Sequence, residues 1–261
     1  MSFWRFGGRH ASAPQRARGL HLTSLRVAVL VVVLGAAAHA EPLNLPPAFT
    51  ARYSGAMGLV DSRMSLKRMG RFLLYEIRTE LAGFRFYECS VVEAGETEFW
   101  PREYIHRRVG GSEERDIEAR FEREQHRILL TRGGKTEVLS DVDFPVWDAL
   151  SVQLRMSADL SAGSLADSYK MVDKGGVQER RFALGARQRV TVGGSEYDAV
   201  RIDRTDREER SYVTVAPKLH HLPVELGYNA RWIGWVRAQL IEFTPTSGET
   251  KAEAPPRCQR R

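Results

Sequence analysis

The sequence predicts a mainly β protein: a large curved antiparallel meander, half-open barrel or roll, with one helix packed on its concave face. Three observations predict it. From Thr50 to Phe243, short runs rich in aromatic and β-branched residues are separated by Gly or by charge clusters, at the spacing of roughly 10–12 residues expected of consecutive strands. The intervals leave no room for the helix that a parallel crossover needs. One segment alone, Val146 to Leu160, repeats its apolar residues at helical spacing.

The elements follow in order. Leu43 to Pro47 is an extended, Pro-rich lead-in, and strands are expected over Thr50–Met57, Ser62–Met69, Phe72–Glu80, Phe84–Glu93, Glu98–Arg108, Arg115–Glu122, Arg127–Thr131 and Thr136–Val138. Gly-bearing breaks separate most of them, as turns that need positive φ require. The helix is expected at 146–160, with Val146, Leu150 and Leu154 four apart and Asp148 placed to favour its N-terminus. Trp147, Leu150 and Leu154 share a face, which is expected to lie on the concave side of the sheet near Trp232 or Trp235. Strands resume over Ser168–Val172, Gln178–Leu184, Gln188–Val192, Glu196–Thr205, Arg210–Ala216, Leu222–Tyr228 and Trp232–Phe243. No linker divides them, so 41–244 reads as one domain, and the polar, Pro-containing stretch 245–261 as a disordered tail.

The charge has to be separated by position. The chain of 261 residues carries +6, but residues 1–40 hold Arg5, Arg9, Arg16, Arg18 and Arg26 with no Lys or acid, so removing these five leaves +1. A near-neutral remainder argues against nucleic acid as a partner. The basic stretch is followed by an apolar run, Val27 to Leu34, and by Ala38-His39-Ala40, which together read as a signal peptide cleaved after Ala40. The apolar run is short of the roughly 20 residues of a membrane-spanning helix. The expected location is therefore the periplasm. Export would place Cys89 and Cys258 in an oxidising compartment. They could bridge and tie the tail across the domain, or Cys89 could be a small buried residue with Cys258 free. A transmembrane barrel is disfavoured by Arg78, Glu80, Arg85, Glu88, Arg201 and Asp203, which fall inside strand runs where a lipid-facing band needs apolar residues.

Several stretches resemble a bacterial exported family, domain of unknown function 3108. They are Phe49-Thr50-Ala51-Arg52-Tyr53 with Gly58-Leu59, then Pro101 and Tyr104, then Asp148 to Arg155, then Ala216-Pro217-Lys218-Leu219 with Leu222-Pro223-Val224, and Leu240-Ile241-Glu242-Phe243. The resemblance implies a periplasmic all-β domain and no established reaction. His220-His221 stand where such chains more often have an aromatic residue.

Few residues invite catalysis. His220-His221 would point to opposite faces of a strand unless a turn intervenes, and a metal would want a third ligand such as His106 or His126. Asp141, Asp143 and Asp148 crowd before the helix without the Gly and Glu of a calcium loop. Neither a serine-nucleophile elbow nor a phosphate loop is present. The expectation is no metal, no cofactor and no catalytic residue. The aromatic set, which includes Trp100 and Phe84, suggests instead a pocket between sheet and helix, lined by Trp147, Leu150, Leu154, Trp232, Trp235 and Phe86. The expected protein is a monomer that binds a lipid or other apolar envelope molecule. The alternatives are an envelope assembly factor acting through protein contacts, and a hydrolase built on the three aspartates and His220 or His221.

Overall fold

A computed structural model describes residues 43–55, 58–109, 116–206, 211–230, 234–246 and 254–259. The expected signal peptide and Trp232 lie outside the described residues. The first half is an eight-strand meander: β1 (Phe49–Gly55), β2 (Val60–Met69), β3 (Phe72–Leu81), β4 (Phe84–Ala94), β5 (Phe99–Val109), β6 (Ile117–Glu122), β7 (Arg127–Arg132) and β8 (Lys135–Leu139). The helix α1 (Ser151–Ser161) follows. The second half is β9 (Ser168–Asp173), β10 (Gly176–Val192), β11 (Ser195–Arg204), β12 (Ser211–Ala216), β13 (Leu222–Ala230) and β14 (Gly234–Pro245).

All fourteen strands form one antiparallel sheet in the order β8-β7-β6-β5-β4-β3-β2-β1-β14-β13-β12-β11-β10-β9. Every neighbour pair is sequential except β1 with β14. The sheet is not closed into a barrel. After β8 the chain instead reaches the other edge, where Trp147 bridges β9 in parallel fashion: its N–H donates to Lys170 O and its carbonyl accepts from Val172 N.

Local chemistry sets this geometry. Gly133-Gly134 and Gly193-Gly194 have positive φ at both positions, as the tightest hairpin turns demand. Pro101 and Pro223, which lack an N–H for the ladder, each stand beside a register shift, at Val91/Val92 and Thr214/Val215. Gln178–Leu184 and Gln188–Val192, expected as two strands, are one strand, β10. A shift between Leu184 and Arg187 lets it bend, and its two ends pair with β9 and β11 in turn.

The concave face carries the main core. On β1 and β2 the buried residues alternate: Phe49, Ala51 and Tyr53, then Val60, Ser62, Met64 and Leu66. The helix lies on this face. Gln153 accepts from Tyr75 on β3, Asp159 from Tyr169 on β9, and Ser157 Oγ donates to the carbonyl of His220 before β13. It begins at Ser151 rather than Val146, because Asp148 acts as the cap. Its carboxylate accepts the N–H groups of Leu150 and Ser151 at 2.8 and 2.9 Å, while Ser151 Oγ accepts the Asp148 N–H at 2.9 Å. Trp147 therefore belongs to the bridge before the helix, its ring 5.1 Å from that of Phe99.

A second apolar cluster sits on the opposite face of β3–β5, formed by Phe72, Tyr87, Cys89, Val91, Ile105 and Cys258. Cys89 and Cys258 are disulfide-bonded. The expectation of a disordered tail is corrected for 254–259. Cys258 is buried, its N–H donates to Glu103, and the Gln259 N–H donates to the Tyr87 hydroxyl.

The helix offers a direct comparison. Leu154 is 2% exposed in the core, so Leu154→Ala is expected to cost about 2–5 kcal/mol. Arg155, 35% exposed and paired with Asp159 at i+4, should cost about 1 kcal/mol or less when changed to Ala. Thermal melts of the two variants side by side check this; a larger loss for Arg155→Ala would overturn the assignment of the apolar face.

Candidate functional site

The expected pocket residues separate. Trp147, Leu150 and Leu154 are buried in the core. Trp235 is not near them: it is 49% exposed on the outer face, its ring 5.7 Å from that of Tyr212. The reason is strand parity. Val236, Ala238 and Leu240 take the inward positions of β14, which turns Trp235 and Arg237 outward. Gly227 accommodates the aromatic pair, since a Cβ there would lie 2.3 Å from the Tyr212 ring and 2.8 Å from that of Trp235. Phe86 alone of the described set faces the concave side away from the helix, half-buried, paired across strands with Thr79 and Arg108.

Around Phe86 is a group of residues that sequence reading missed as a unit. Cross-strand pairing sets Met64, Ile77, Glu88, His106 and Ile117 in one row across β2–β6. Glu88 Oε1 lies 2.8 Å from His106 Nδ1. Tyr104, next along the inward side of β5, is buried, and after burial the neighbouring Glu88 is what raises its phenol. Tyr228 arrives from the other half of the sheet. In strand order β3, β2, β1 and β14 stand between it and Glu88, yet after burial the Glu88 charge is what raises the Tyr228 phenol. The curl of the sheet brings these two strands face to face.

Burial varies along this face. Near α1 the inward residues Leu73, Tyr75, Ser90, Val92 and Tyr104 are buried. Further along the same strands Ile77, Thr79, Phe86, Glu88 and His106 are half-buried, as is Tyr228, and the side chains of Glu88 and His106 keep 26% and 30% of their exposure. Leu59 and Phe84 lie exposed at the rim. Burial lowers the pKa of His106, but the hydrogen bond and charge of Glu88, with Asp116, outweigh it and raise it overall. The imidazolium is thereby favoured.

Several of the other candidate groups have structural partners. His220 and His221 form a turn in left-handed backbone, and His221 Nδ1 meets Ser161 Oγ at 3.1 Å. Asp143 is exposed and pairs with Lys170, whereas Asp148 is buried at the helix cap. Among the described residues no group of three or more His, Cys, Asp or Glu side chains could hold a metal ion. On the outer face, two open grooves share Arg63 and Arg78, but Asp61 and Glu76 also line them and pair with neighbouring cations. No helix among the described residues is long and apolar enough to cross a membrane. Comparison with family models and with curated proteins gives no match.

Proposed function

We propose that the protein is an exported, periplasmic binding module that holds an apolar or lipid-like envelope molecule in the half of the concave face that α1 leaves uncovered. The observation that carries this reading is the half-exposure of Ile77, Phe86 and Tyr228 on the inward side of a curled sheet. A soluble domain gains by burying such surface, and a bound acyl chain would bury it. The signal-like residues 1–40 support export. Docking of a partner by strand addition has less support, because the edge strand β8 carries Lys135 and Glu137, charges of the kind that discourage pairing.

The test is native mass spectrometry of protein purified from cells, combined with displacement of a fluorescent apolar probe. A co-purifying lipid mass and saturable probe binding are expected. Phe86→Asp should weaken the probe about tenfold by placing a charge on the apolar wall. Absence of both ligand and probe binding would reject the reading.

A further inference from the structure

We infer that the molecule held on the concave face is an amphiphile with an anionic oxygen head, a carboxylate or phosphate monoester, seated at His106 and Arg108. This rests on the binding reading above and names the ligand class for the same surface. The argument is one of unspent hydrogen-bonding capacity. Glu88 is already engaged by His106 Nδ1. Asp116 accepts the Arg108 backbone N–H. Beside these two carboxylates stand two side-chain donors, His106 and Arg108. His106 Nε2 has no partner among the described residues; with the Nδ1–H given to Glu88, it carries a proton in the imidazolium form that this carboxylate favours.

Arg108 completes the pair. It occupies the same face of β5 two residues on, half-buried, with its guanidinium 3.9 Å from the centre of the Phe84 ring and no ion pair to an acid among the described residues. Stacking holds the guanidinium plane and leaves its edge N–H groups available to a planar oxyanion. Phe86 lies between the two, as the cross-strand partner of Arg108 and with its ring 6.4 Å from that of His106. A head bonded by both cations would start its chain against Phe86 and Ile77. A cationic head would meet two cations, and the two nearby carboxylates, Glu88 and Asp116, already accept hydrogen bonds.

The experiment compares four probes of equal chain length on the full mature protein: a fatty acid, an alkyl phosphate, a fatty alcohol and an alkyl trimethylammonium. The two anions are expected to bind about 10- to 100-fold tighter than the alcohol, the range of one or two charge-assisted hydrogen bonds, and the ammonium weakest. His106→Gln and Arg108→Gln should each narrow the gap between acid and alcohol without abolishing alcohol binding. If alcohol and acid bind equally, the head assignment fails while the binding module stands; if no probe binds, the binding module itself fails. Equal binding of fatty acid and alkyl phosphate is the expected result for a site that reads charge. A preference confined to one would identify which oxyanion the head carries. The wild-type series is decisive even if a variant does not fold.

Discussion

Breaking the disulfide is expected to lower stability by about 2–5 kcal/mol, the usual loss for a native bridge in a secreted domain. Cys89 and Cys258 are 169 residues apart, so the bridge restricts a long loop of the unfolded chain. It also holds the tail over Phe72, Tyr87, Val91 and Ile105. The double variant Cys89→Ser, Cys258→Ser should therefore unfold at lower urea and expose apolar surface to a hydrophobic dye. The wild type under reducing conditions should behave alike. A midpoint unchanged by both treatments would mean that the tail contributes nothing to the fold.

The second large effect is expected at Asp148. Its carboxyl is buried and its pKa is pushed up to about 6 from 3.8, chiefly by burial, against which the hydrogen bonds from Ser151, Ser90 and Leu150 pull downward. Between pH of about 4 and 6 the native state keeps a proton that the unfolded chain has released. Stability attributable to this group is therefore fully present below the unfolded pKa and falls as pH rises towards about 6, by about 3 kcal/mol in total. Asp148→Asn can still accept the Leu150 and Ser151 N–H groups and donate to a hydroxyl, so it should flatten this part of the stability profile. Asp148→Ala leaves the cap and the Ser90 hydroxyl unpartnered and should cost about 3–5 kcal/mol near pH 5. Urea titrations of the three proteins across pH decide. An Asn variant with the wild-type profile would show that another group is responsible.

The fold was legible because its signals are local. Strand runs and Gly turns mark out the meander, and Leu150 and Leu154 mark the interior-facing helix. What was not legible depends on register. The two-residue period of a strand says that neighbours such as Trp235 and Val236 face opposite ways, but choosing which way needs the partner strand. The helix start was misplaced because Val146 and Trp147 precede it at helical spacing, yet Trp147 serves a bridge to β9. The Glu88–His106 pair was hidden for the same reason: nothing in a single strand announces that residues 88 and 106 will be cross-strand neighbours. One signal was present, the retention of Glu88 and His106 on inward positions, and it becomes readable only once Ser90 and Tyr104 are known to face the core.

The pairing of β1 with β14 also governs how the chain reaches this shape. Every other ladder joins strands adjacent in sequence, whereas this one sets Phe49 opposite Pro245 and Gly55 opposite Ala238. Hairpins on either side can form from neighbouring residues, but the seam joining them must await the far end of the chain. Such distant contacts raise the mean sequence separation and slow the final step, towards the milliseconds to seconds typical of non-local β topologies. A chain synthesised N-terminus first presents β1 without a neighbour on one side until β14 follows. During that interval an unpaired edge is open to other chains.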